Sequence, residues 1–99
     1  MIKIHADKKS LCIRITGHAG YAPKGQDIVC AAVSALVYAY VEELMKLGIG
    51  GVLRDDEEML ATAPMLQPEK ARIAFDMAVG GFEFLNINYA SYIQLEIGE

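Results

Sequence analysis

The sequence predicts an α+β fold, a two-layer sandwich with two helices on one face of a mostly antiparallel sheet, in the order ββαββαβ. Three observations carry this. Ile2, Ile4, Leu11, Ile13 and Ile15 alternate with polar residues, the period-two pattern of a strand pair with one wet face. Two later segments repeat apolar residues at helical spacing. Short apolar stretches around 52–65 and 92–97 supply the remaining strands.

Each element has its own signal. Asp7-Lys8-Lys9-Ser10 reads as the first turn. A hairpin centred on Lys8-Lys9 sets Ile4 opposite Ile13, Ile2 opposite Ile15 and His5 opposite Cys12. The stretch from Gly17 to Asp27, with three glycines and a proline, is a loop. Asp27 then stands as N-cap of a helix from Ile28 to about Leu47, stopped by Gly48. That helix is apolar nearly all round through Val41, which predicts cover on more than one side. Val52 to Asp55 and Met59 to Met65 form a second hairpin through the acidic turn Asp55-Asp56-Glu57-Glu58. Pro68 opens a second helix, and Ala71, Phe75, Ala78, Phe82 and Leu85 carry it to about Asn88. Gly80-Gly81 inside it implies either close packing on the first helix or a break. Tyr92 to Ile97 closes the sheet.

The chain of 99 residues is one domain, 1–99. A hydrophobic fraction of 54% excludes a disordered chain. A net charge of -4 argues against gripping nucleic acid and suits a basic peptide or protein partner better. Two cysteines and no apolar N-terminal run of signal length point to a reducing, cytoplasmic setting without a disulfide framework. The apolar run from Ile28 to Val41 stops at Glu42-Glu43 and reads as a buried helix, not a membrane span.

The chemistry concentrates between strand and helix. Cys30 falls in the first helical turn, where free amides and the helix dipole stabilise a thiolate. Packed between Val29 and Ala31, the same residue also reads as core. His18 lies at the other end of the same loop, placed to take the thiol proton and return it to a leaving amine. The acidic turn 55–58 reads as solvated or as a docking patch for a basic substrate. Asp27 either caps the helix, the favoured reading, or orients His18. Gly20, Tyr21, Gly25 and Asp27 are candidates for a substrate loop, and a backbone N–H near Cys30 for an oxyanion site. His5 and Cys12 form a rival pair, but on an exposed strand face without a glycine loop. The His and Cys count does not build a structural zinc site.

Gly17-His18-Ala19-Gly20-Tyr21-Ala22, followed by Gly25-Gln26-Asp27-Ile28-Val29-Cys30-Ala31-Ala32-Val33-Ser34, resembles the ribosomal-processing cysteine protease family (Prp). The Gly-His pair, the glycine loop and the Gly-x-Asp-Ile-Val-Cys-Ala helix start all match, with His and Cys twelve residues apart. The resemblance implies a small cytoplasmic homodimeric enzyme without cofactor. It also implies His18 as proton donor and acceptor, Cys30 as nucleophile, and removal of a short N-terminal extension from a large-subunit ribosomal protein. Family members cut after aromatic residues, which implies an apolar groove with Tyr21 as a candidate wall. The reading from another class is a non-catalytic ribosome-associated peptide-binding module with Cys30 in its core. A third, an anion-binding metabolic domain, predicts stabilisation by phosphate or nucleotide.

Overall fold

Alternation in the first sixteen residues produces a hairpin of β1 (Ile2–Asp7) and β2 (Cys12–Thr16). The computed structural model describes residues 1–23, 25–64 and 66–98. After the hairpin come α1 (Ile28–Lys46), β3 (Val52–Asp55), β4 (Met59–Thr62), α2 (Pro68–Asn88) and β5 (Ile93–Gly98). Thus the predicted order is the observed one. The sheet runs β3-β4-β2-β1-β5, antiparallel at every pairing except β1 with β5. Met65, the expected end of the fourth strand, lies outside the described residues.

The first hairpin is shifted by two residues from the expected register. Ile4 faces Ile15 and Ala6 faces Ile13. A slip of two keeps every side chain on its face, so Ile2, Ile4, Ala6, Ile13 and Ile15 all stay in the core. The cause is Leu11. It leaves the strand, adopts φ +56 and buries its side chain completely, which lengthens the turn. The Tyr40 hydroxyl, from α1, donates to the Leu11 carbonyl at 2.7 Å and fixes that conformation. Asp7 accepts the Lys9 amide at 2.9 Å on the turn's other side. His5 consequently lies opposite Arg14 and Cys12 opposite Asp7, which dissolves the expected His5–Cys12 pair.

On the covered face, α1 contributes Val29, Val33, Val37, Tyr40, Val41 and Leu44 to the core. It is long and apolar enough to cross a membrane, yet this face is spent on the sheet and on α2. The sheet and α2 thus cover it on more than one side, while Ile28, Tyr38 and Met45 remain exposed. Leu47 caps the helix and Gly48, at φ +75, turns the chain away as expected. Against it, α2 packs Ala71, Ala74, Phe75, Ala78, Val79 and Phe82. The helix runs unbroken through Gly80-Gly81. A Cβ on Gly81 would lie 2.7 Å from Leu36 of α1, so a glycine there lets the helices approach. Gly80 faces open space.

Candidate functional site

The loop between β2 and α1 begins at a position that only glycine fits. Gly17 has φ +79, and a Cβ there would lie 2.5 Å from the Met1 carbonyl oxygen. The next residue, His18, is exposed, whereas Ala19 is buried and pins the loop to the core. Its N–H donates to Cys30 Sγ at 3.4 Å.

Asp27 organises the other end. One carboxylate oxygen accepts the amides of Val29 and Cys30, each at 3.0 Å, while the second accepts the Tyr21 amide at 3.1 Å. The side chain therefore caps the helix and ties the loop to it. The Cys30 amide, then those of Tyr21 and Ala22, hold its carboxyl below the ordinary carboxylate range against the opposing effect of burial. Among the described residues no contact joins Asp27 to His18. Of the amides around Cys30, those of Val29 and Cys30 are engaged by the Asp27 side chain, and that of Ala31 by its carbonyl at 3.1 Å. Ala19 N–H is the backbone donor directed at the sulfur instead.

Half-buried Cys30 occupies the third residue of α1. It lines a cavity of about 610 Å³ together with His18, Gly20, Ala22, Gly25 and Asp27. A smaller cavity of about 140 Å³ extends past the same Cys30 and His18 to Asp55, Asp56, Glu57 and Met59. The acidic turn thus stands beside the groove, partly engaged: Glu58 with Arg14 at 2.9 Å, Asp56 with Arg54 at 3.9 Å, and Asp55 with the Tyr38 hydroxyl at 2.6 Å.

Tyr21 does not form the groove wall. Gly20 and Ala22 on either side of it do, while its ring packs edge-on against Tyr89 and Tyr92. In the sequence Tyr92 reads only as the start of the closing strand, and Tyr89 carries no signal of its own. The Ala19 N–H was invisible there too, because any residue but proline carries one. His5 lies on the open sheet face, 3.8 Å from Glu96. Burial pushes the Cys12 thiol above its usual range. Among the described residues no group of three or more His, Cys, Asp or Glu converges as a metal site.

A half-buried thiol at a helix N-terminus, sharing an open groove with an imidazole on a small α+β layer, is an arrangement of the thiol hydrolases. The comparisons narrow this class. The family model described as cysteine protease Prp matches residues 1–94, and the chain belongs to that family. The Ribosomal processing cysteine protease Prp of Bacillus subtilis (strain 168) is 46% identical over 41 residues, 41% of this chain. That match spans only 37% of the relative's length. Among solved structures, the S. aureus ribosomal processing protease Prp in complex with a covalently linked product peptide superposes with a TM-score of 0.82. It covers 98% of this chain and 99% of that one, at 19% identity. A protein of Streptococcus mutans gives 0.77 at 29% identity, over 98% of this chain and 91% of its own. The family that the loop and helix start resemble is therefore borne out, and with it the fold.

Proposed function

We propose that this chain is a cysteine endopeptidase in which Cys30 is the nucleophile and His18 the general base and acid. Its substrate on this reading is the N-terminal extension of a large-subunit ribosomal protein precursor. The observation that carries the reading is the shared groove: Cys30 Sγ and His18 line one cavity at the start of α1, with the Ala19 N–H directed at the sulfur. The names of the Bacillus subtilis and S. aureus relatives support the substrate.

The chemistry follows from those positions. Cys30 Sγ adds to the scissile carbonyl as its proton passes to His18. The new oxyanion, bonded to the carbon attached to Sγ, develops beside the sulfur and within reach of the Ala19 N–H. Collapse breaks the C–N bond, and His18 returns the proton to the leaving amine. His18 then activates a water, which releases the acid product from Sγ. Gly20, Gly25 and Asp27 shape the loop over the substrate, and no step draws on a cofactor.

The enzyme acts in the cytoplasm as a homodimer on the same reading. Ile73, Met77, Phe84 and Ile87 leave an exposed apolar stripe along α2, between 65% and 80% accessible, that a second copy would cover. Light scattering on the purified chain reads this directly, and a monomer at micromolar concentration would refute it.

The deciding experiment incubates the ribosomal-protein precursor with the protein and with Cys30→Ala, and reads intact mass. One N-terminal truncation that requires Cys30 is the expected result. Tight binding of an uncut precursor by the unmodified protein would establish the peptide-binding module in its place.

A further inference from the structure

Gly20 and Ala22 line the groove, but the residue between them turns its ring the other way. Tyr21 meets Tyr89 with ring centroids 5.8 Å apart at 88°, and Tyr92 at 5.2 Å and 73°, both in edge-to-face geometry. Those two rings stand on a fixed platform. The Tyr89 amide donates to the Leu85 carbonyl at the end of α2, and the Tyr92 amide to the Tyr89 carbonyl. The Tyr92 carbonyl in turn accepts the Ile2 amide at the start of β1.

We propose that Tyr21 is a positioning residue: its ring, clasped by Tyr89 and Tyr92, holds the 19–22 segment as the wall of the groove beside Cys30. The kinetic part of this inference rests on the hydrolytic reading above, whereas its structural part does not. The Tyr21 backbone is already tied forward to Asp27, and through that carboxylate to the Cys30 amide. Two residues earlier, Ala19 reaches Sγ. Ala19 is anchored in the core, and ring and backbone together hold the residues that follow it, Gly20 to Ala22. Release of the ring frees residues 20–22 to leave Asp27 and loosens the Ala19 N–H on the sulfur, although Tyr21 does not line the groove.

Amide hydrogen exchange tests the clasp without catalysis. In Tyr21→Ala and in Tyr92→Ala, the Ala19 and Tyr21 amides should exchange about tenfold faster than in the unmodified chain. Amides in α1 beyond Val33 should not change, and Tyr21→Phe, which keeps the ring, should match the unmodified protein within about twofold. Exchange left unchanged in both alanine variants would overturn the clasp. So would Tyr21→Phe exchanging as fast as Tyr21→Ala, since the hydroxyl would then supply the hold. Steady-state hydrolysis of a peptide spanning the cleavage sequence should show KM raised about fivefold in Tyr21→Ala and Tyr92→Ala, with kcat within about twofold. A raised KM with unchanged exchange would make Tyr21 a substrate contact and refute the clasp. An unmodified protein that cuts no peptide would sink the endopeptidase reading instead, while the exchange rates still decide the clasp.

Discussion

The Ala19 N–H points at Cys30 Sγ from 3.4 Å, joining the buried anchor of the loop to the first turn of α1 across eleven residues. The second cysteine has no such setting. Cys12 is half-buried at the start of β2, opposite Asp7, and burial pushes its thiol up.

The two thiols should therefore separate in reactivity. Cys30 opens on a cavity and takes the Ala19 N–H on its sulfur, whereas burial raises the Cys12 thiol above its usual range. With iodoacetamide at pH 7, peptide mapping should show Cys30 alkylated at least about tenfold faster than Cys12. Equal and slow labelling would return Cys30 to the status of a packed core residue.

The fold was legible in the sequence where one period dominates. Alternation in residues 2–15, the helical spacing after Pro68, and the Asp27 and Gly48 boundaries all translate directly into elements. What failed was the hairpin register. Leu11 has the type and spacing of a strand residue, but its burial in a left-handed turn is set by the distant Tyr40. At the site, the Asp27 cap and the common groove of Cys30 and His18 were readable because they follow from a local motif. The clasp was not, since Tyr21 and Tyr92 are 71 positions apart and nothing in either neighbourhood announces the other.

The buried bond at that turn has a measurable value. Tyr40→Phe removes the donor to the Leu11 carbonyl and leaves a buried acceptor unpaired, which costs about 1–2 kcal/mol. For a domain of this size the melting temperature should fall by about 5–10 °C. Tyr38→Phe, which loses an exposed hydroxyl bond to Asp55, should change it far less. Equal losses in the two variants would refute the role assigned to Tyr40.

The double glycine in α2 separates two effects that the sequence merges. Gly80 faces open space at a helical position, so Gly80→Ala should stabilise by about 0.5–1 kcal/mol through helix propensity alone. At Gly81 the added methyl meets both δ-carbons of Leu36 at 2.7 Å, and that side chain must move. Urea denaturation should rank Gly80→Ala above Gly81→Ala by at least the gain itself, with Gly81→Ala at or below the unmodified protein. The reverse order would mean that the helices do not meet at Gly81.

The helix cap makes a prediction with a pH window. Folding lowers the Asp27 carboxyl below its ordinary value of 3.8, because the Cys30 amide and then the Tyr21 and Ala22 amides bond to its charged form. The unfolded chain thus takes up this proton at higher pH than the folded one. The stability Asp27 adds is complete above about pH 5, well clear of the ordinary carboxyl value, and is lost as pH falls through the lowered folded value. Asp27→Ala should melt several degrees below the unmodified protein at pH 7. That gap should hold to about pH 5 and close below the ordinary carboxylate range, as the native cap becomes protonated. A gap that stayed constant to pH 2 would show that the charge of Asp27 contributes nothing, and that its bonds to Val29, Cys30 and Tyr21 survive in the neutral form.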